Sequence, residues 1–290
     1  MRDYSYYPGC SAEASNRAYD VSARSVSQAV EARLIELPDW NCCGATTYMS
    51  VQEKRAMALS ARNLALAEKE DRDLVTICNG CYCVLNKANR YVNADSDMGR
   101  ELTEALQAAD LEYHGTVKVR HLLDVLVTDA GESGIRARVE KQLKGLKVAP
   151  YYGCQLSRPR GMFGDPEFPT ALDDLLTWLG AEPVWYALKA KCCGGMLMTA
   201  RADVCERLVE RLLSAAVEAG AECLATLCPL CQINLEAYQK RLGKELGKSY
   251  DIPVLFFTQL LGVALGCSDT ELGMQRNLIA WKAPLPAAVA

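Results

Sequence analysis

The sequence predicts an α/β fold made of two tandem homologous domains. Each is a small parallel-sheet unit with cysteines at the C-terminal rim of its strands. Three observations predict it. Short runs rich in aromatic and branched residues alternate with helix-length runs, the pattern of parallel α/β units. One cysteine pattern occurs twice, its later portion displaced by 150 positions. The patterned cysteines also fall where strand-like runs end and helical runs begin, the rim at which open parallel sheets place their ligands.

The first half opens on the strand-like "DYSYY", followed by "SAEASNRAYDVSARSVSQAVEA", which has the length and composition of one helix. "RLIEL" reads as the second strand and "VQEKRAMALSARNLALAEKE", rich in good helix formers, as the second helix. "LVTI" is the third strand, and "CYCVLNKANRYV" opens the next helix. The second half gives "KVAPYY", a helix near 170–179, "PVWY", a helix near 202–219, "CLATL" and a helix near 231–245. The two domains are expected at 1–145 and 146–290, the second ending in an apolar tail, "RNLIAWKAPLPAAVA".

Composition removes several function classes. Half the residues are apolar and the net charge is -4, an ordinary globular balance with no basic footprint for nucleic acid and no Lys/Arg block for a membrane surface. The longest apolar run, "IPVLFFTQLLGVALG", falls short of the roughly 20 apolar residues that span a bilayer. It reads as a buried strand passing into a helix. "MRDYSYYPGC" lacks the apolar core of a signal peptide, so a cytoplasmic location is expected, where structural disulfides are rare. Yet there are 14 cysteines and only two histidines, His114 and His121. Sulfur must carry the chemistry, and cysteine excess of this kind points to metal or redox sites.

The cysteines are ordered. Cys10 is followed by Cys42-Cys43, then Cys78 and Cys81; Cys154 is followed by Cys192-Cys193, then Cys228 and Cys231. In both halves 34 residues separate the doublet from the CxxC, and the leading gaps are 31 and 37. The flanks repeat too: "YYPGC" matches "PYYGC", "NCCGA" matches "KCCGG", and "LVTICNGC" matches "LATLCPLC". This is a duplicated domain rather than a short-period solenoid. A disulfide within a doublet is a poor explanation, because consecutive Cα atoms lie about 3.8 Å apart and unstrained disulfides need roughly 4.4–6.8 Å. Four cysteines fall outside the pattern. Cys205 in a helical run and Cys223 in "AECLATL" read as core fillers, and Cys267 has no assigned role. Cys83 lies near Cys81, but its counterpart is Ile233, so it reads as a buried thiol.

Four readings compete for five sulfurs. A structural zinc site takes four ligands and leaves the fifth unexplained. A CxxC exchange centre leaves the other cysteines idle. Inert thiols account for neither the repetition nor the flanking Gly9, Gly44, Gly80, Gly153, Gly194 and Gly195. An iron–sulfur cluster is held by thiolates, usually four. Five suit an unusual cluster or a bridging thiolate, and neighbouring thiolates can reach different irons of one centre. Softness and ligand count favour iron–sulfur over zinc.

The twice-occurring C…CCG…CxxC arrangement resembles the cysteine-rich CCG domain found in duplicate in the B subunit of heterodisulfide reductase. "YGCQLSRPRGMFGDPEFPTALDDLLTWLGA" resembles that family's segment around the second leading cysteine, and the resemblance covers roughly residues 4–275. One departure is Gln155, where many relatives are expected to carry His. The resemblance implies two noncubane [4Fe-4S] clusters, each held by five cysteines: Cys10, Cys42, Cys43, Cys78 and Cys81, then Cys154, Cys192, Cys193, Cys228 and Cys231. It further implies an enzymatic role, in which the chain cleaves or forms a small-molecule disulfide between the clusters as part of a larger complex. The alternative is a non-catalytic relay protein within another dehydrogenase. Nothing resembles a flavin or nucleotide loop, so electrons are expected from partners. By the same resemblance these are a ferredoxin protein with cubane [4Fe-4S] clusters and, feeding it, a flavin-containing protein. Arg158 and Arg160 are candidates for gripping an anionic thiol, against the plainer reading of a solvated loop.

Overall fold

A computed structural model describes residues 2–157, 163–247 and 249–281. It contains two four-stranded sheets, both wholly parallel. In the first, β1 (Arg2–Tyr7), β2 (Ala32–Glu36), β3 (Leu74–Thr76) and β4 (Val119–His121) lie in the order β2-β1-β3-β4. In the second, β5 (Lys147–Tyr151), β6 (Glu182–Pro183), β7 (Cys223–Thr226) and β8 (Val254–Phe256) lie in the same order, β6-β5-β7-β8. This winding reverses direction between its first and third strands, so a crevice opens at the carboxyl ends of β1 and β3, and again at β5 and β7.

Burial follows position in the sheet. The central strands β3 and β7 are buried throughout, as parallel strands covered on both faces must be. The edge strand β2 is half exposed. At the equivalent edge of the second sheet β6 is only Glu182–Pro183, so "PVWY" contributes just its proline, and Trp185 is 73% exposed. A proline has no N–H for a ladder, which suits an edge and shortens it.

Two expected helices are each broken in two. The run after β1 forms Cys10–Glu13 and Arg17–Ala29, because Asn16 leaves helical backbone and turns its amide towards the other half of the chain. The run near 231–245 forms Pro229–Ala237 and Gln239–Leu246, hinged at Tyr238. There the Gln239 side chain clamps the backbone of Ile252 through two hydrogen bonds of 2.8 and 3.0 Å. "IPVLFFTQLLGVALG" forms β8 followed directly by the helix Phe257–Ala264. Among the described residues no helix is long and apolar enough to cross a membrane.

One hydrophobic cluster spans both halves, and a second lies within the second half. Tyr19 of the first half stacks on Phe256 of the second, with ring centroids 4.0 Å apart and an interplanar angle of 9°. Ser22 and Thr258 share a buried 2.6 Å hydrogen bond, and the helix Phe257–Ala264 packs against Arg17–Ala29. At the foot of the first sheet, buried Arg120 donates to both oxygens of Asp129, which also accepts from Tyr4.

Candidate metal centre

Both crevices are lined with thiols. Cys10 begins the helix after β1, and Cys78 caps the helix Asn79–Val92 after β3, placing Cys81 in its first turn. Cys154 and the pair Cys228 and Cys231 hold the equivalent places after β5 and β7. Each doublet comes in on the loop beyond the edge strand, and that loop is pinned. In the first half the Asn41 carbonyl accepts from Tyr7 and from Asn63, both at 2.8 Å, and Ser60 donates to the Cys43 carbonyl at 2.8 Å. In the second, Tyr151 donates to Lys191 O at 2.8 Å, while Asn234 donates to the carbonyls of Cys193 and Gly195.

The sulfurs then run in contact. Cys42 Sγ lies 3.7 Å from Cys10 Sγ, and Cys43 Sγ lies 3.4 Å from Cys81 Sγ. In the second half Cys193 Sγ lies 3.5 Å from Cys231 Sγ, and Cys192 is the first cause that pushes the Cys154 thiol up. Cys78 of the first set packs against the buried cluster that holds Cys228 and Cys231 of the second, so the two sets meet. All 14 cysteines are free of disulfides. Among the described residues no group of three or more His, Cys, Asp or Glu side chains is set to hold a metal ion. The thiols form a string, open at Cys10, Cys42 and Cys192 and buried at Cys43, Cys81, Cys193, Cys228 and Cys231.

The backbone makes room for something against these sulfurs. A Cβ on Gly9 would stand 3.0 Å from Cys81 Sγ, and one on Gly153 would stand 3.3 Å from Cys231 Sγ; both glycines have positive φ. The same approach is built twice. The electrostatics agree with a cation-binding role. Contact with the Cys10 and then the Cys43 thiol holds Cys42 down to about 2, and Cys43 is correspondingly pushed up to about 12 by Cys42. Contact with Cys228 and Cys81 holds Cys78 low; the Cys231 contact pulls Cys228 down, but Cys78 and burial carry it up to about 12. Packed thiols share protons because they cannot all ionise together. Positive charge lodged among them would replace those protons, as metal binding to thiolates does. A backbone N–H already faces a sulfur of the second doublet, Gly194 donating to Cys192 Sγ at 3.3 Å. The donor set therefore fits a polynuclear iron–sulfur group better than it fits four-coordinate zinc.

Several contributing residues carry no obvious signal in the sequence. Asn79 donates to Tyr152 O at 2.7 Å, and Asn16 donates to Pro229 O and Gln232 Oε1, each crossing between halves. The Gln155 amide oxygen would stand 3.0 Å from a Cβ on Gly80, so it rests on the opposite half's CxxC loop. Cys205 is fully buried, and it also donates to the Cys193 carbonyl and backs directly onto Gly194. Cys223 is fully buried in β7. Cys83 is partly buried and Cys267 lies outside both thiol sets. For Tyr7 and Tyr151 a signal did exist, in the repeated tyrosine pair ahead of each leading cysteine. Arg158 and Arg160 lie outside the described residues.

Fold and site together define a duplicated parallel α/β protein with paired cysteine centres at its two switch points. A family model described as "Cysteine-rich domain" (CCG) matches residues 4–86 and again 148–236. The chain belongs to this family, in the duplicated form of the heterodisulfide reductase B subunit. It is 33% identical to the B subunit of the ferredoxin/F(420)H(2)-dependent CoB-CoM heterodisulfide reductase of Methanosarcina acetivorans, over 96% of this chain and 94% of that one. It is 31% identical to the 8-methylmenaquinol:fumarate reductase membrane anchor subunit of Wolinella succinogenes, over 96% of this chain and 98% of that one. A hypothetical protein from Helicobacter pylori shares the fold at 14% identity and a TM-score of 0.77; the match covers 97% of this chain and 52% of that one.

Proposed function

We propose that the chain is the disulfide-handling member of a heterodisulfide reductase-type complex. It would carry two noncubane [4Fe-4S] clusters, one held by Cys10, Cys42, Cys43, Cys78 and Cys81, the other by Cys154, Cys192, Cys193, Cys228 and Cys231. The observation that supports this most is the meeting of the two thiol sets, where Cys78 packs against the cluster that holds Cys228 and Cys231. Two equivalent centres that face each other suit a substrate with two sulfurs. Bound there, the clusters would supply electrons and a soft metal surface for sulfur, and two electrons with two protons convert a disulfide to two thiols.

The protein's own residues do the holding. Tyr7, Asn63 and Ser60 fix the first doublet, and Tyr151, Asn234 and Cys205 fix the second. Asn16 and Asn79 lock the halves so that the centres keep their spacing. Arg158 and Arg160 remain candidates for an anionic thiol. The electron donors proposed are a ferredoxin protein with cubane clusters and a flavin-containing protein, with the whole complex in the cytoplasm.

A relay role is the second reading. It is favoured by the Wolinella relative, whose name places it in a fumarate reductase rather than a disulfide reductase. Anaerobic purification followed by iron, zinc and acid-labile sulfide analysis tests the cofactor assignment. About eight irons per chain are expected from two four-iron clusters. Cys10→Ala and Cys154→Ala should each remove about half of that iron, and Cys83→Ala none. Zinc without iron would overturn the assignment. With iron present, absence of turnover for every disulfide offered to the reconstituted complex would favour the relay.

A further inference from the structure

The buried members of the two doublets, Cys43 and Cys193, are held by different side chains. The duplication gives the register. Gly44 and Gly194 each follow a doublet, and a Cβ on either would stand 3.1 Å from the Cα of one helix residue, Ala56 in the first half and Cys205 in the second. Three residues beyond the second cysteine of each CxxC stand Val84 and Asn234, both buried. The second half therefore has a thiol and a carboxamide where the first has two aliphatic side chains. In the first half Ser60 donates to the Cys43 carbonyl, and among the described residues no amide or hydroxyl side chain is bonded to the Cys43 sulfur.

Asn234 reaches the Cys193 sulfur. Its amide nitrogen lies 2.9 Å from Gly195 O, 3.3 Å from Cys193 O, 3.6 Å from Cys193 Sγ and 3.7 Å from Cys205 Sγ. The two carbonyls identify this end of the side chain as the nitrogen, which carries two N–H groups. The shortest contact commits one of them to Gly195 O. The other is shared. Its 3.3 Å to Cys193 O is longer than the roughly 2.7–3.2 Å usual for N–H···O, whereas 3.6 Å suits the larger sulfur atom. The Cys193 carbonyl also has a second donor, the Cys205 thiol at 3.3 Å. Ionisation of Cys193 shifts the balance further, because hydrogen bonds to a charged acceptor are shorter and stronger than those to a neutral one.

We propose that Asn234 is a positioning residue that donates an N–H to the Cys193 sulfur of the loaded protein and so raises the reduction potential of the second centre, by a device that the first centre lacks. This rests on the iron–sulfur reading above. A hydrogen bond to a ligand sulfur favours the more negatively charged, reduced state and raises the potential. The two centres, alike in their cysteines, are thereby tuned apart by one side chain.

The test is a redox titration followed by electron paramagnetic resonance on the anaerobically purified full chain, with Asn234→Val, which installs the first half's residue. Iron and sulfide content should not change, one midpoint should move to more negative potential, and the other should stay. In a Cys10→Ala background, which lacks the first centre, the remaining midpoint should be the one that moves. Cys205→Ala, which removes a thiol but no amide N–H, should leave both midpoints in place. Pulsed resonance in the Cys10→Ala background, with 15N in the side-chain amide of every asparagine, should show a coupled 15N that disappears with Asn234→Val. Unchanged midpoints with full iron overturn the proposal, and so does a Cys205→Ala shift as large as that of Asn234→Val. A second centre without a coupled 15N while Asn234 is in place overturns it too, even if the valine variant loads poorly. A wild-type chain without iron instead overturns the cofactor reading, and this inference with it.

Discussion

Replacing Gly9 by alanine tests whether the close approach of backbone to sulfur matters. Gly9 has φ 80° and ψ 153°, a region essentially reserved for glycine. Gly131 is a matched control, with φ 66° and ψ 174° and nothing within 4 Å of an added Cβ. Backbone strain should cost each variant about 1–3 kcal/mol. Only at Gly9 does the new methyl also meet Cys81 Sγ, at 3.0 Å. That sulfur has little room to retreat, because Cys81 is 5% exposed and Cys43 Sγ stands 3.4 Å away. Overpacking of this kind adds about 1–3 kcal/mol. Urea unfolding should therefore show Gly9→Ala less stable than Gly131→Ala by that increment. Iron analysis should show Gly131→Ala fully loaded and Gly9→Ala depleted at its first centre only. Equal stability losses with equal iron would refute the reasoning.

Other outcomes follow from the same geometry. Contact with Arg120 holds the Asp129 carboxyl well below the usual carboxylate range. A depressed folded pKa stabilises above the unfolded carboxyl pKa of about 4 and is lost as pH falls through the folded value. Asp129→Asn should thus cost about 2 kcal/mol at pH 7, with the gap from wild type narrowing in urea melts taken below pH 4. Asn16→Ala removes two hydrogen bonds that cross between the halves, at 3.1 and 3.3 Å. It should lower stability by about 1–3 kcal/mol, and an unchanged urea midpoint would remove Asn16 from the locking role. Buried Glu236 accepts from the backbone N–H of Leu278 and Ile279. Glu236→Ala should make the chain near 278–281 cleavable by a protease that leaves the wild type intact.

Much was legible before any coordinates. A cysteine pattern repeated with identical 34-residue spacing identifies a duplicated site, and strand-then-helix alternation places its members at strand ends. These are short-range signals, because a side chain on a strand-to-helix turn is positioned by its immediate neighbours. The helix breaks at Asn16 and Tyr238 were not legible. Local composition favours helix through both, and each break is decided by side-chain amides bonding residues distant in the chain.

Sequence by itself therefore determined the fold class and the duplication, and it supplied the proposal of which sulfurs serve together in each half. Tertiary structure alone decided that Cys78 packs against the cluster of Cys228 and Cys231 and that Gln155 rests on the opposite CxxC loop. It also decided that Tyr19 of one half stacks on Phe256 of the other. No spacing rule encodes these contacts, because they depend on how the two sheets pack around a common core. That packing is set by the summed burial of many apolar side chains rather than by any one motif.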